Sequence, residues 1–165
     1  MSEIVGTAKM FIGVAKGRLL DTFAHVPDDK LTWTPDPKAH SPLRIFAHCA
    51  VSNYGFAAMI RGQAPSFASI EEAVAQNADK ELAITTREQA IAALEASTAD
   101  LLAAVDGVTP ELLAGAIQVP GRAIPTPAFL LIGGRHADGH AAQIDYLQTT
   151  WGDYVNHFGL SEPSK

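Results

Sequence analysis

Apolar residues recur at helical spacing in four long stretches of the chain, and proline or glycine separates each stretch from the next. The first stretch runs from about Glu3 to His25, and one stripe of apolar residues follows it: Ile4, Ala8, Phe11, Ala15, Leu19 and Phe23. Spacings of three and four residues place such side chains on a single helical face. The pattern therefore predicts an amphipathic helix that ends before Val26-Pro27.

Capping signals bound the second and third stretches. Ser41 followed by Pro42 is typical of an N-cap and a first helical residue, so a second helix is predicted from there to about Arg61. Thr86 is a plausible cap for a third long helix over residues 87–106, and Gly107 suits its end.

The last long helix is predicted to begin with Thr126 as its cap and Pro127 as its first residue, and to continue to about Asn156. The preceding segment, QVPGRAIPTP, is predicted to be a loop. Residues 69–78 and the turn at Thr109-Pro110 are expected to form short extra helices.

Four long amphipathic segments in 165 residues predict an all-α four-helix bundle, organised as a single domain over residues 1–165. Abundant alanine and only 7% aromatic residues favour helices over a β-sandwich. The long connection over residues 62–85 leaves the order of the helices open between the simplest antiparallel arrangement and an up-up-down-down one.

Charge and cysteine content narrow the class of protein. With 12 basic and 18 acidic residues the net charge is -6, which argues against general nucleic-acid binding because such binding needs a basic face. Cys49 is the only cysteine, so no intramolecular disulfide can form. We see no secretory signal and no apolar stretch of about 20 residues, and we expect a cytoplasmic protein without a membrane partner.

The candidate chemistry begins with two histidines in the last predicted helix. His136 and His140 are four residues apart, which brings their Cβ atoms to about 6 Å on one helical face. Both imidazoles can then reach one metal ion at about 2.0–2.1 Å. Such a pair is weak evidence by itself, because two histidines can also fill a polar gap or face water.

A third histidine strengthens the metal hypothesis. His48 lies one turn into the second predicted helix, and three histidines in one small core are costly to bury without a shared partner. A divalent metal ion explains all three together, whereas the alternative is a set of neutral polar core residues. Three imidazoles leave positions free for water or substrate, and they suit zinc or nickel as leading candidates, with iron and copper also compatible.

The other polar residues near this site have open roles. We place the histidines on an inward stripe with Phe129, Ile132, Gln143 and Leu147, and expect Arg135, Asp138 and Asp145 to project elsewhere. Gln143 either orients a ligand or is a plain helix residue, and His40 is either a proton shuttle or a solvated loop residue. Cys49 is interpreted as a small buried residue, and His25 and His157 as surface groups near helix ends.

Two segments carry a resemblance to a known family. The stretch LRIFAHCAVSN, with the proline-rich loop and Trp33 before it, and the distant stretch HADGHAAQIDYLQ are similar to the DinB/YfiT-like superfamily. Its final helix often reads His-x-x-x-His-Arg-Gly-Gln. This chain keeps Gln143 but has alanines at 141 and 142. The resemblance implies a four-helix bundle with metal ligands His48, His136 and His140, and no role for the missing arginine.

Relatives in that superfamily include metal-dependent thiol transferases and proteins described as metal-dependent hydrolases. The resemblance therefore implies a small-molecule substrate or a low-molecular-weight thiol, activated at an open metal site near the ends of the second and last long helices. The alternative is a non-catalytic metal-binding or stress-response module in which the ion is structural. Both the resemblance and the alanine-rich surfaces of the first and third long helices favour a homodimer.

Overall fold

The computed structural model describes residues 2–158 and confirms an all-α bundle with short additional elements. The long helices are α1 (Glu3–Ala24), α2 (Pro42–Ile60), α4 (Arg87–Asp106) and α7 (Ile132–Thr149). The shorter elements are α3 (Ile70–Leu82), α5 (Pro110–Leu113), β1 (Ala116–Val119), β2 (Arg122–Pro125) and α6 (Thr126–Phe129), with one 3-10 turn at Asp28–Lys30. No helix within residues 2–158 is long and apolar enough to cross a membrane.

The predicted caps account for where α2 and α4 begin. The Ser41 hydroxyl accepts a hydrogen bond from the backbone N–H of Arg44 at 3.2 Å, directly before Pro42. Thr86 and Gln89 form a reciprocal capping box at the start of α4. Each cap satisfies backbone N–H groups that have no partner inside the helix, so these boundaries follow from local sequence.

Ion pairs between helices show how α1, α2 and α4 run relative to one another. Lys9 near the start of α1 contacts Asp106 at the end of α4, at 2.5 Å. Arg61, immediately after α2, pairs with Asp100 late in α4, at 2.7 Å. Helix α4 therefore runs antiparallel to α1 and parallel to α2.

Helix α7 completes an up-down-down-up bundle. Arg18 and Asp138 lie late in α1 and mid-way along α7, while Phe56 late in α2 contacts Phe129 just before α7. Helix α7 thus runs parallel to α1 and antiparallel to α2. Neither order considered from sequence is correct, because α3 and its flanking loops carry the chain back along the bundle between the parallel helices α2 and α4.

Two apolar clusters fill the two ends of the bundle. One holds the end of α1 and the starts of α2 and α4, where Phe23 stacks on Phe46 with ring centroids 4.1 Å apart. Trp33 from the proline-rich loop packs there, edge-on to Trp151 at 5.5 Å. The other cluster includes Ile117 of β1, so the hairpin covers the opposite end of the bundle.

The segment between α5 and α7 differs from the predicted loop and helix start. Residues Ala116–Val119 and Arg122–Pro125 pair as an antiparallel hairpin, whose turn has Gly121 at φ 77°. A short helix follows, but Leu131 N–H bonds to the carbonyl of Ala128, three residues back, and this tighter turn separates α6 from α7. The long helix therefore starts at Ile132, not at Pro127.

The end of α7 also comes earlier than predicted. Helix α7 stops at Thr149, and Gly152 follows with φ 92°. This left-handed conformation is accessible to glycine at little cost and ends the helix, so residues 153–158 continue without helical structure.

Glycine permits close contact between α7 and α1. A Cβ atom at Gly134 would lie 2.8 Å from Cδ1 of Phe11 and 3.2 Å from its backbone carbonyl carbon, whereas one at Gly139 meets nothing within 4 Å. We expect Gly134→Ala to lower the free energy of unfolding by about 1–3 kcal/mol through overpacking.

The matched substitution Gly139→Ala, on the same helix, should instead raise stability by about 0.5–1 kcal/mol because alanine favours helix. Urea unfolding of both variants measures the two effects. Equal effects of the two substitutions would contradict the close packing of α1 against α7.

Candidate metal centre

Three imidazole rings from two helices meet at one side of the bundle. His48 belongs to α2, while His136 and His140 occupy consecutive turns of α7. The Nε2 atom of His136 lies 3.1 Å from Nε2 of His48 and 3.2 Å from Nε2 of His140. All three rings are partly buried. The structure thus brings together the three histidines that the sequence analysis singled out.

Hydrogen bonds at the other ring nitrogens orient two of these rings. Nδ1 of His48 lies 2.8 Å from Oε1 of Glu81, and Nδ1 of His140 lies 2.7 Å from Oε1 of Gln143. Both oxygens can only accept, so each Nδ1 carries the proton and donates. In the neutral rings, both Nε2 atoms then present lone pairs toward the third histidine.

This arrangement fits a cation better than it fits three histidines alone. A proton on Nε2 of His136 can form a hydrogen bond to Nε2 of either His48 or His140. The remaining Nε2 atom would then face Nε2 of His136 with no proton between them. A tetrahedral ion with bonds of 2.0–2.1 Å separates its nitrogen ligands by about 3.3 Å, close to the separations seen here. Nδ1 of His136 is buried and has no hydrogen-bond partner within residues 2–158.

The environment also lowers the pKa of two of these imidazoles. Burial, reinforced by the neighbouring His140 and His48, lowers the pKa of His136 to about 3. Burial lowers the pKa of His140 as well, against the opposing effect of its hydrogen bond to Gln143. Neutral imidazole is the form that binds metal, so the ligand atoms of His136 and His140 are available at neutral pH without competing protons.

Glu81 is the functional residue that sequence reasoning missed. It lies near the end of α3 with only 4% of its surface exposed, and its second carboxylate oxygen accepts a hydrogen bond from Nε of Arg44 at 3.0 Å. A carboxylate behind a histidine is a common way to fix ring orientation in metal sites. Helix α3 was predicted to end at residue 78, which left Glu81 in an undefined loop.

A cavity of about 350 Å³ opens onto the histidines, and both His48 and His136 contribute to its wall. Its wall also includes Met59 late in α2 and Ile132 at the start of α7, together with residues of α3 and of the β-hairpin. The cavity therefore borders the end of α2 and the start of α7, and α3 and the hairpin complete its wall.

His40 and Gln143 line a second, more open cavity of about 420 Å³ beside Tyr146. None of the three clustered histidines lines this second cavity. His40 is exposed, and a positive charge on its ring would lower the pKa of His140. The structure therefore places Gln143 in direct contact with the cluster and His40 outside it.

The predicted orientation of α7 needs correction. The sequence predicts Gln143 on the inward side of α7 and Asp145 away from it. Gln143 is instead exposed, and Asp145 is only 6% exposed. Asp145 accepts hydrogen bonds from the Thr22 hydroxyl and from Arg18. Helix α7 therefore has two packed sides, and the sequence pattern predicts only one of them. The other side faces α1.

A second histidine group lies at the end of α1. His157 is 4% exposed, which corrects its assignment to the surface, and it stacks on His25 with centroids 3.8 Å apart and planes 15° from parallel. Ligand atoms of Asp21, His25 and His157 lie within 4.8 Å of one another. Imidazole lone pairs lie in the ring plane, so two stacked rings cannot both direct theirs at one ion, and this group is a poor metal site.

Cys49 follows His48 in α2 but points into the bundle core. It is fully buried, and burial raises the pKa of its thiol, so it remains a neutral apolar residue. This agrees with the interpretation from sequence and removes a nearby competing ligand.

Comparison with known proteins agrees with these features. No curated protein and no solved structure matches the chain significantly. A family profile described as the DinB superfamily matches residues 14–144, a span that includes α2, α4 and all three clustered histidines. The match covers well over half of the chain. The chain therefore belongs to the DinB superfamily.

Proposed function

We propose that this protein is a metal-dependent enzyme that uses His48, His136 and His140 to hold a divalent ion and activate water or a low-molecular-weight thiol. The observation that supports this most is the convergence of three Nε2 atoms beside a cavity. Within residues 2–158, no fourth histidine, cysteine or carboxylate ligand atom joins the group. Three protein ligands with space beside them are typical of reactive sites, whereas structural zinc sites have four.

Each surrounding residue then has a physical role. Glu81 holds the proton on Nδ1 of His48, and Gln143 does the same for His140, so both rings keep their Nε2 lone pairs directed inward. Phe56 packs edge-on against His136, with centroids 5.3 Å apart, and limits the rotation of that ring. A divalent ion bound here would lower the pKa of a coordinated water or thiol and supply a nucleophile near neutral pH.

The reaction class that fits is hydrolysis or thiol S-transfer. The cavity wall next to the histidines is largely apolar, which excludes bulk water from a substrate held there. Imidazole ligands without thiolate or carboxylate suit zinc or nickel, and we propose one of these as the physiological ion.

Metal content of purified variants tests this function. We expect about one divalent ion per chain in the wild type and a large loss in His140→Ala, because two imidazoles bind far more weakly than three. His25→Ala removes a histidine from the stacked second group and serves as the matched control, with wild-type metal content expected. Wild-type metal content in His140→Ala would refute the proposed ligand set.

The alternative function is a module in which the ion is only structural. It would be favoured if removing the ion with a chelator unfolded the bundle while neither ester hydrolysis nor thiol transfer was detectable in the loaded protein. The two apolar clusters at the bundle ends do not include the histidines, and we therefore expect the metal-free chain to remain folded by circular dichroism.

We also propose that the protein forms a homodimer through the outer face of α1 and α4. Met10 and Val14 on α1 are 64% and 61% exposed, and α4 presents a stripe of exposed alanines at positions 92, 96, 99 and 103. Isologous pairing would cover this apolar face. Sedimentation equilibrium tests the proposal, and a monomer at all protein concentrations would contradict it.

A further inference from the structure

The cavity beside the histidines has a composition that suits an apolar molecule. Apolar side chains from α3, the segment before it and the hairpin form much of its wall, including Phe67, Ile70, Val74, Val119 and Ile124. Its volume of about 350 Å³ lies in the range of small-molecule sites. Ile70 and Val74 remain 65% and 48% exposed at its edge, and a bound apolar body would remove part of that surface from water.

One charged side chain interrupts this apolar wall. Arg122, the first residue of β2, is the only lysine, arginine, aspartate or glutamate among the described residues that line the cavity. Carboxylates lie on α3 at Glu71, Glu72 and Asp79, but none of them contributes to the wall. The cavity therefore combines apolar surface with a single positive charge.

The state of Arg122 distinguishes it from most other arginines of the chain. Arg18, Arg44, Arg61 and Arg87 each contact a carboxylate. Within residues 2–158, Arg122 makes no ion pair or side-chain hydrogen bond, although the chain carries an excess of acidic residues. Its guanidinium can therefore bind an external anion without breaking an existing pair, and its fork geometry suits a carboxylate.

We propose that the ligand of this cavity is a largely apolar molecule with a carboxylate group that binds Arg122. That this ligand is a substrate rests on the proposed function, since the histidines lie on another wall of the same cavity. The apolar body lies against α3 and the hairpin. The part of the molecule near His48 and His136 is the part that reacts.

Direct binding to metal-free protein tests the proposal, because a carboxylate could otherwise bind the ion itself. The full chain is treated with a chelator, and octanoate and 1-octanol are titrated by calorimetry as probes of equal chain length. We expect octanoate to bind about fivefold more tightly than octanol, because an ion pair at an exposed arginine contributes up to about 1 kcal/mol.

Arg122→Gln should remove that preference while octanol binding stays unchanged. Arg135→Gln is the matched control, because Arg135 is also exposed and lies outside the cavity. Its replacement changes the net charge by the same amount. Equal affinity for the two probes, equal effects of the two substitutions, or no saturable octanoate binding would each overturn the proposal.

Metal uptake by the same proteins after the chelator is removed and zinc is supplied separates this inference from the proposed function. Selective octanoate binding in a protein that takes up no metal would leave the carboxylate site intact and refute the enzyme proposal. A protein that binds metal through the three histidines but shows no carboxylate preference would refute the ligand class alone.

Discussion

Glu81→Gln is expected to weaken metal binding by about 10- to 100-fold, the range seen when the hydrogen-bond partner of a ligating histidine is changed. The substitution keeps the shape of the side chain but removes the charge that faces His48 and Arg44. An amide can also donate a hydrogen bond to Nδ1 of His48, which would place the ring proton on Nε2, the atom proposed to bind the ion. Competition with a chromophoric chelator measures the affinity.

Asp79→Asn is the matched control for this experiment. Asp79 is an exposed carboxylate on the same helix, α3, so its replacement alters the charge of α3 by the same amount without touching a histidine. We expect wild-type metal affinity for this control. If Glu81→Gln also bound metal as tightly as the wild type, Glu81 would not position the ligand and the role assigned to it would be wrong.

Asp145→Ala should destabilise the fold by about 3 kcal/mol, the size expected when one partner of a buried charged network is removed. Asp145 accepts hydrogen bonds from Thr22 and Arg18 between α1 and α7, and its removal leaves those donors without this acceptor. Guanidinium and hydroxyl groups that lose a buried partner keep their desolvation cost. Urea unfolding of the metal-free protein measures the change in the free energy of unfolding.

Asp138→Ala provides the comparison, because Asp138 binds the same arginine at 2.6 Å but its side chain is 44% exposed. Exposed ion pairs contribute about 0–1 kcal/mol, so we expect a much smaller effect. Equal destabilisation by the two alanine substitutions would show that burial of Asp145 does not strengthen this network.

The boundaries of α2 and α4 could be predicted because their causes are local. Ser41-Pro42 and the pair Thr86 and Gln89 satisfy the first backbone N–H groups of their helices whatever the rest of the chain does. The histidine pair on α7 was predictable for the same reason, since a spacing of four residues fixes a common face. His48 lies 88 residues before His136, and it joined the predicted site through the cost of burying three histidines without a shared partner and through the family resemblance.

Features that depend on contacts between distant segments were not predictable in this way. The ion pair of Glu81 with Arg44 spans 37 residues, and nothing in the sequence near Glu81 indicates that its carboxylate is buried. The single apolar stripe of α7 predicts one packed side, so it does not indicate that Asp145 is buried against α1. The hairpin does have a local signal, because Pro120-Gly121 lies between two segments of alternating apolar and polar residues. The sequence analysis predicts only a loop there.

The parallel arrangement of α2 and α4 likewise depends on the path of the intervening chain. Helix α3 is short, with only Glu81 buried among its residues, so its apolar pattern says little about where it packs. Its position nevertheless determines both the helix order and the cavity, because α3 forms one wall beside the histidines. The cavity therefore could not be predicted from the sequence alone.

X-ray absorption spectroscopy of the zinc-loaded protein is the most direct test of the central claim that three imidazoles share one ion. The account predicts three imidazole nitrogens at about 2.0–2.1 Å together with at least one oxygen ligand from solvent. It also predicts that His136→Ala loses this signature. A spectrum with fewer than three imidazoles, or one that His136→Ala leaves unchanged, would contradict the account.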